Sequence, residues 1–145
     1  MPACPAIEEI VPHRGSMLLI DEILSCEADS IVARATVRRE AWYLDETGAM
    51  PAWIGIELMA QAAAACGGME AKRSGLPPRR GMLVGCRTYR AASPSFGGGE
   101  VLQVNARRTA AGESGFSIFD CTLTASDGRS LATGTIQVLV QPEGK

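Results

Sequence analysis

The segment PAWIGIELMAQAAAAC at residues 51–66 constrains the fold more than any other part of this sequence. Within it only Glu57 is charged and only Gln61 is otherwise polar. Pro51 suits the first position of a helix, strong helix formers follow, and the prolines of GLPPRRG at residues 75–81 end the pattern. We predict a long helix over residues 53–74 that is buried on most sides, because it is apolar almost all round.

Short runs of branched and alternating apolar residues on either side of this helix predict strands. Two runs precede the helix and four follow it, and the short links of the second half favour antiparallel pairing. A single long helix needs a sheet to cover it, so the sequence predicts an α+β fold with a curved antiparallel sheet of about six strands wrapped round one central helix. The predicted strands are residues 17–25, 30–37, 82–90, 101–109, 116–125 and 131–140.

Length and composition fit one domain over residues 1–145, since 46% of the residues are apolar and can form a core. Uncovered sheet edges favour a homodimer or a higher homo-oligomer. The net charge of −2 gives no general attraction for nucleic acid or an anionic membrane. A membrane span is not expected either, because the long apolar run contains a carboxylate and an amide.

The cysteines and the N-terminus bear on localisation. Five cysteines are widely spaced and form no C-x-x-C pair, which indicates reduced thiols. The first residues, MPACPAIEEIVPHRG, lack the basic start and apolar block of a signal peptide. We therefore expect a cytoplasmic protein. With one histidine and no clustered cysteines, no metal site is expected.

Glu57 and Gln61 lie four residues apart, so they share a helix face and the amide can hydrogen-bond the carboxyl. An unpaired carboxylate in an apolar run is costly, and such surroundings favour its neutral form. One interpretation is an acid that works near neutral pH. The alternative is a partly solvated residue at a dimer seam, or a partner of an arginine.

His13 is the single histidine and lies in VPHRGSMLLID, just before the first predicted strand. Histidine is the side chain best suited to proton transfer at neutral pH. A single loop histidine is more often a hydrogen-bonded structural residue or simply solvated.

The stretch KRSGLPPRRGMLVGCRTYR at residues 72–90 has six basic residues and no acidic one. It could be a solvated helix end, where cations favour the negative end of the helix dipole. It could also be a docking surface for an anionic partner.

Two motifs, VPHRGSMLLIDEIL and MPAWIGIELMAQ, together resemble the hot-dog-fold 3-hydroxyacyl-acyl carrier protein dehydratases of fatty-acid and polyketide synthesis. The second motif is most similar to the dehydratase-like branch found with aryl polyene biosynthesis clusters. The resemblance matches the family's catalytic glutamate to Glu57, its glutamine to Gln61 and its Pro-His-Arg histidine to His13. The chain departs from the family at LDETGAM, where a typical member has Gly-His-Phe-Pro, and at Ala52, where it has glycine.

The resemblance implies dehydration of a 3-hydroxyacyl thioester carried on the phosphopantetheine arm of an acyl carrier protein, with no other cofactor. We expect Glu57 to protonate the C3 hydroxyl and His13 to move the C2 proton. Backbone N–H groups of Ala52 and Trp53 would face the thioester oxygen, because a helix start presents free donors. The expected residues for docking the acidic carrier are Arg79, Arg80, Arg87 and Arg90.

Two other functions remain open at this point. A hot-dog thioesterase could use Glu57 or Asp45 to position water. A non-catalytic member could bind the carrier protein or pair with an active dehydratase as a heterodimer, and the departure at LDETGAM favours that alternative. A shared fold alone does not decide among them.

Overall fold

The computed structural model of the chain describes residues 4–76, 81–112 and 114–140. Its central element is the helix α1, Ile54–Arg73. The predicted helix, residues 53–74, is confirmed with one residue fewer at each end. Pro51 is not the first helical residue, as the sequence suggested, because it belongs to a short strand and pairs with Ser95.

The strands form one large antiparallel sheet and one small one. The strands are β1 (Glu22–Cys26), β2 (Ser30–Thr36), β3 (Met50–Pro51), β4 (Gly81–Cys86), β5 (Arg90–Ala91), β6 (Ser95–Phe96), β7 (Val101–Ala111), β8 (Phe116–Ala125) and β9 (Ser130–Val140). In the large sheet the order is β1-β2-β7-β8-β9-β4, and β5 also pairs with β9, while β3 and β6 pair with each other. Register shifts interrupt several of the pairings, and such bulges bend strands.

All six predicted strands are present, and three are shorter than predicted, the second of them by one residue. The first begins only at Glu22, because residues 15–17 form a 3-10 turn that opens with Gly15 at a φ of 60°. The third predicted strand, residues 82–90, ends at Cys86, and strand pairing resumes at Arg90. The predicted architecture of one long helix against an antiparallel sheet is confirmed.

Helix α1 packs against β2, β7, β8 and β9, and apolar side chains from both layers form the core. The N-terminal segment also packs on α1, since Ile7, Ile10 and Val11 are buried. At this contact a Cβ atom on Gly68 would overlap the carbonyl oxygen of Ile10. The glycine therefore allows the backbone that leads to His13 to lie directly on the helix. Within the described ranges, no helix is both long and apolar enough to cross a membrane.

Candidate active site

His13 and Glu57 come together, although they are far apart in the sequence. The Nε2 atom of His13 lies 3.8 Å from the Oε2 atom of Glu57. This distance exceeds that of a direct hydrogen bond, so a small shift or one intervening group would complete the contact. The two side chains are 26% and 36% exposed, respectively, so a ligand can reach both of them.

Gln61 fixes the carboxyl of Glu57 from inside the protein. Its Nε2 atom donates to Glu57 Oε2 at 2.9 Å and to the carbonyl oxygen of Met17 at 2.7 Å. Its Oε1 atom accepts the N–H of Leu19 at 2.9 Å. Because Gln61 is fully buried, these bonds cannot be replaced by bulk water. They tie helix α1 to the segment that follows His13.

Arg14 holds the loop that carries His13. Its guanidinium donates to the carbonyl oxygens of Glu8, Val11 and His13, each at 2.7 Å. The imidazole itself is less completely bonded, because its Nδ1 atom is buried and has no hydrogen-bond partner among the described residues. A catalytic histidine usually has a group at the second nitrogen that fixes its tautomer.

Glu57 is less buried than the apolar run suggested. It lies on the face of α1 that opens into a cavity of about 100 Å³ rather than on the face packed against the sheet. Small residues line the helix side of this cavity: Ala60, Ala63, Ala64 and Gly67. Across from them lie side chains of four strands: Leu83, Arg108, Ser117, Phe119 and Val138. The arrangement is a narrow, mainly apolar space with the His13–Glu57 pair in its wall.

The start of helix α1 corrects one expectation. The Ala52 N–H donates to the carbonyl oxygen of Pro94 at 2.9 Å, so it is not free to face a thioester. The N–H groups of Trp53 and Ile54 have no acceptor in the part of the chain that the structure describes. The hydroxyl of Tyr89 donates to the carbonyl oxygen of Ala52, and burial raises the pKa of Tyr89 to about 12. Tyr89 thus stays protonated and anchors the helix start.

Two of the four predicted docking arginines belong to the part of the chain that the structure describes. Arg87 directly follows β4 and Arg90 lies in β5; both are exposed, and neither lines the cavity beside Glu57. Arg79 and Arg80 lie outside the described residues.

Asp45, the alternative residue for positioning water, is engaged within its own turn. Its Oδ1 atom accepts hydrogen bonds from the Thr47 hydroxyl and from the N–H groups of Thr47 and Ala49. The Thr47 hydroxyl bond is the largest cause of a lowered pKa for Asp45, and the two N–H bonds add to it. A structural role in the turn accounts for this residue.

Arg108 is a cavity residue that the sequence reasoning missed. Its side chain is only 12% exposed and forms ion pairs with Asp29 and Glu70. A signal for it exists in the alternation of β7, where Leu102, Val104 and Ala106 point inward and place Arg108 on the same face. Among the described residues, no group of three or more His, Cys, Asp or Glu side chains could hold a metal ion.

A long helix against an antiparallel sheet of about seven strands, as here, is the hot-dog fold of the structures that this chain resembles. With the His13–Glu57 pair in its cavity wall, the chain has the features of a hot-dog protein of the dehydratase type. The sequence matches the ApeP dehydratase family over residues 5–145. The chain therefore belongs to the ApeP-like dehydratase family.

Solved structures agree with this assignment. The dehydratase heterocomplex ApeI:P from Xenorhabdus doucetiae contains a chain with 26% identity and a TM-score of 0.91, covering 97% of this chain and 94% of that one. Only the fold is shown by the similarity to a hypothetical thioesterase crystallised with coenzyme A from Streptococcus pneumoniae (15% identity, TM-score 0.66, 83% and 84% covered). The same holds for Cj0977, a virulence protein from Campylobacter jejuni (14% identity, TM-score 0.71, 94% and 89% covered). No curated protein matches the sequence significantly.

Proposed function

We propose that this protein dehydrates 3-hydroxyacyl thioesters on an acyl carrier protein to trans-2-enoyl thioesters, in synthesis of the fatty-acid or aryl polyene type. The observation that carries the proposal is the 3.8 Å approach of His13 Nε2 to Glu57 Oε2 beside an apolar cavity. Membership of the ApeP-like dehydratase family supports it. The proposed dehydration needs no metal, because two positioned proton-transfer groups suffice for loss of water.

In the proposed reaction, His13 accepts the proton on C2 and Glu57 donates a proton to the C3 hydroxyl, which leaves as water. Gln61 donates to Oε2 of Glu57, so the other oxygen, Oε1, is the one that would carry the proton. The electron pair of the C2–H bond becomes the new double bond as the C3–O bond breaks. Return of the proton from His13 to the Glu57 carboxylate, directly or through one water molecule, restores both groups.

Negative charge on the thioester oxygen needs a hydrogen-bond donor. The N–H group of Trp53 at the start of α1 is our candidate, because it has no acceptor within the described residues and lies one turn before Glu57. The positive end of the helix dipole adds to its effect.

Docking of an acidic carrier protein on the basic stretch is part of the proposal. Arg87 and Arg90 are exposed and accessible to a partner, and Arg79 and Arg80 are candidates from sequence alone. Charge reversal at Arg87 and Arg90 should weaken carrier binding and reduce its dependence on salt. Binding that is unchanged in both respects would remove these residues from the docking surface.

The direct test is to incubate the purified protein with a 3-hydroxyacyl carrier thioester and identify the product by mass. Loss of one water from the carrier-bound acyl group is the expected result. Release of free acid would instead indicate a thioesterase. An unchanged substrate, with the protein alone and with a candidate partner, would contradict the proposal.

A second candidate function is that of a partner subunit in a dehydratase complex. The unpartnered Nδ1 atom of His13 favours it, because the described residues supply no group to orient the imidazole as a base. Similarity to a chain of the ApeI:P heterocomplex supports it as well. In this role the protein should be inactive alone and should raise the rate of a second dehydratase when added to it. The Glu57→Gln variant should raise that rate equally well.

A further inference from the structure

A single arginine closes the cavity that begins at His13 and Glu57. Arg108 lies in β7, and its Nε atom donates to Asp29 Oδ1 at 3.0 Å while Nη2 donates to Glu70 Oε2 at 2.7 Å. The guanidinium carbon lies 6.0 Å from the centre of the Phe119 ring. Charge-assisted hydrogen bonds of this kind are stronger and more directional than neutral ones. The side chain is therefore held in one position from three sides.

A second cavity, of about 400 Å³, lies on the other side of this arginine. The two cavities share five lining residues, Ala64, Gly67, Gly81, Arg108 and Ser117. Four of these are alanine, glycine or serine, so among the described residues the Arg108 side chain is the only long one where the cavities meet. Asp29 and Glu70, its ion-pair partners, line the second cavity.

Gly67 faces the same space from the helix. A Cβ atom built on Gly67 has no heavy atom within 4 Å, although the residue lies in the middle of α1. Glycine is otherwise unfavourable in a helix interior. The two cavities thus meet in a passage between Gly67 on the helix and Arg108 on the sheet. Because Gly67 has no side chain, it does not narrow this passage.

We propose that Arg108 determines which acyl chain lengths this protein accepts, an inference that rests on the dehydratase function proposed above. The first cavity, at about 100 Å³, is smaller than the roughly 150 Å³ that holds one benzene molecule, so it takes only a short chain segment. A longer chain has to displace the guanidinium from Asp29 and Glu70 to reach the second cavity. The wild-type protein therefore prefers short 3-hydroxyacyl chains.

Two substitutions test the effect of Arg108 on chain-length preference, and they should change that preference in opposite directions. Arg108→Ala joins the cavities and raises kcat/KM for 3-hydroxydecanoyl relative to 3-hydroxybutyryl carrier thioester. Gly67→Leu fills the passage and lowers the same ratio. Each change should be about tenfold or more, as for gain or loss of methylene contacts in an apolar pocket. Arg107→Ala is the matched control, because Arg107 is the neighbouring arginine in β7 and its side chain is exposed.

The dissociation constants of saturated acyl-pantetheine thioesters of the same lengths give a readout that needs no turnover. Tighter binding of the long chain to Arg108→Ala, and weaker binding to Gly67→Leu, supports the assignment. If the wild type and both variants dehydrate with one length profile, the role of Arg108 is overturned while the dehydratase function stands. If no thioester is dehydrated but the binding series shifts as expected, the role of Arg108 stands and the dehydratase function fails.

Discussion

The two faces of helix α1 differ in their surroundings. One face is packed into the core, where five residues are at most 2% exposed: Leu58, Met59, Ala62, Ala65 and Cys66. The other face is partly exposed and lines the cavity, with Glu57, Ala60, Ala64 and Gly67 at helical spacing. A helix that is apolar nearly all round in sequence can thus still carry a carboxyl on one face, because that face borders a cavity.

The contrast is sharpest at two adjacent glycines. Gly68 is buried, and a Cβ atom there would overlap the backbone of Ile10. Gly67 is partly exposed, and a Cβ atom there would meet nothing within 4 Å. The same residue type therefore serves close packing at one position and open volume at the next. Substitutions at neighbouring positions should separate effects on stability from effects on activity.

The largest effect is expected from Glu57→Gln on the cavity face. Removal of a positioned proton donor should lower kcat/KM for dehydration by about 10²–10⁴-fold. The fold should be retained, because the amide keeps the size of the carboxyl and can still accept a hydrogen bond from Gln61. Single-turnover rates with Glu46→Gln, an exposed loop glutamate, as the control provide the measurement. A full rate for Glu57→Gln would contradict the assignment of the acid.

On the packed face, Leu58→Ala should lower the free energy of unfolding by about 2–5 kcal/mol, since Leu58 is 2% exposed and its truncation leaves a cavity in the core. Urea unfolding followed by circular dichroism measures this change. Any protein that remains folded should keep its catalytic rate per folded molecule. A loss below about 0.5 kcal/mol, typical of surface sites, would mean that this face is not packed as described.

Gly68→Ala should destabilise the protein by about 1–3 kcal/mol, the usual cost of overpacking, because the new methyl group meets the Ile10 backbone rather than a flexible side chain. The displaced N-terminal segment carries His13, so activity should fall together with stability. The same unfolding and rate measurements apply. Unchanged stability would show that the segment does not lie on the helix at this point.

Gly67→Ala should have the smallest effect and the opposite sign. Replacing a glycine by alanine inside a helix raises the free energy of unfolding by roughly 0.5–1 kcal/mol where there is space for the methyl group. This variant thus tests whether there is open space at the passage between the cavities, and it should not impair folding. Destabilisation instead of stabilisation would refute the open volume beside Gly67.

The helix and the long strands could be predicted because their signals are local. Residues 53–74 are rich in strong helix formers and are followed by the prolines of GLPPRRG, and β7, β8 and β9 follow period-two alternation. The pairing of Glu57 with Gln61 follows from their spacing alone. The approach of His13 to this pair came from the resemblance of the motifs, since no local pattern brings a loop onto a helix.

Other features depend on contacts between distant segments. Pairing of β3 with β6 moves the helix start beyond Pro51, and the nearby Pro94 carbonyl takes the Ala52 N–H. The alternation of β7 places Arg108 on the inward face, but only the strand order brings it opposite Gly67 and Glu70. Partial exposure of Glu57 likewise depends on a cavity, which is a property of packed layers and not of one segment.

The placement of His13 has a kinetic consequence. The loop at residues 11–16 is held at both ends by helix α1, through Ile10 on Gly68 and through the Met17 carbonyl on Gln61. Glu57 lies on the same helix, so the imidazole and the carboxyl move with one rigid element. A short tether of this kind keeps the imidazole at a high effective concentration near the carboxyl. Proton exchange between the two groups is thereby intramolecular. The distance between them is fixed by α1 and does not depend on small motions of the sheet.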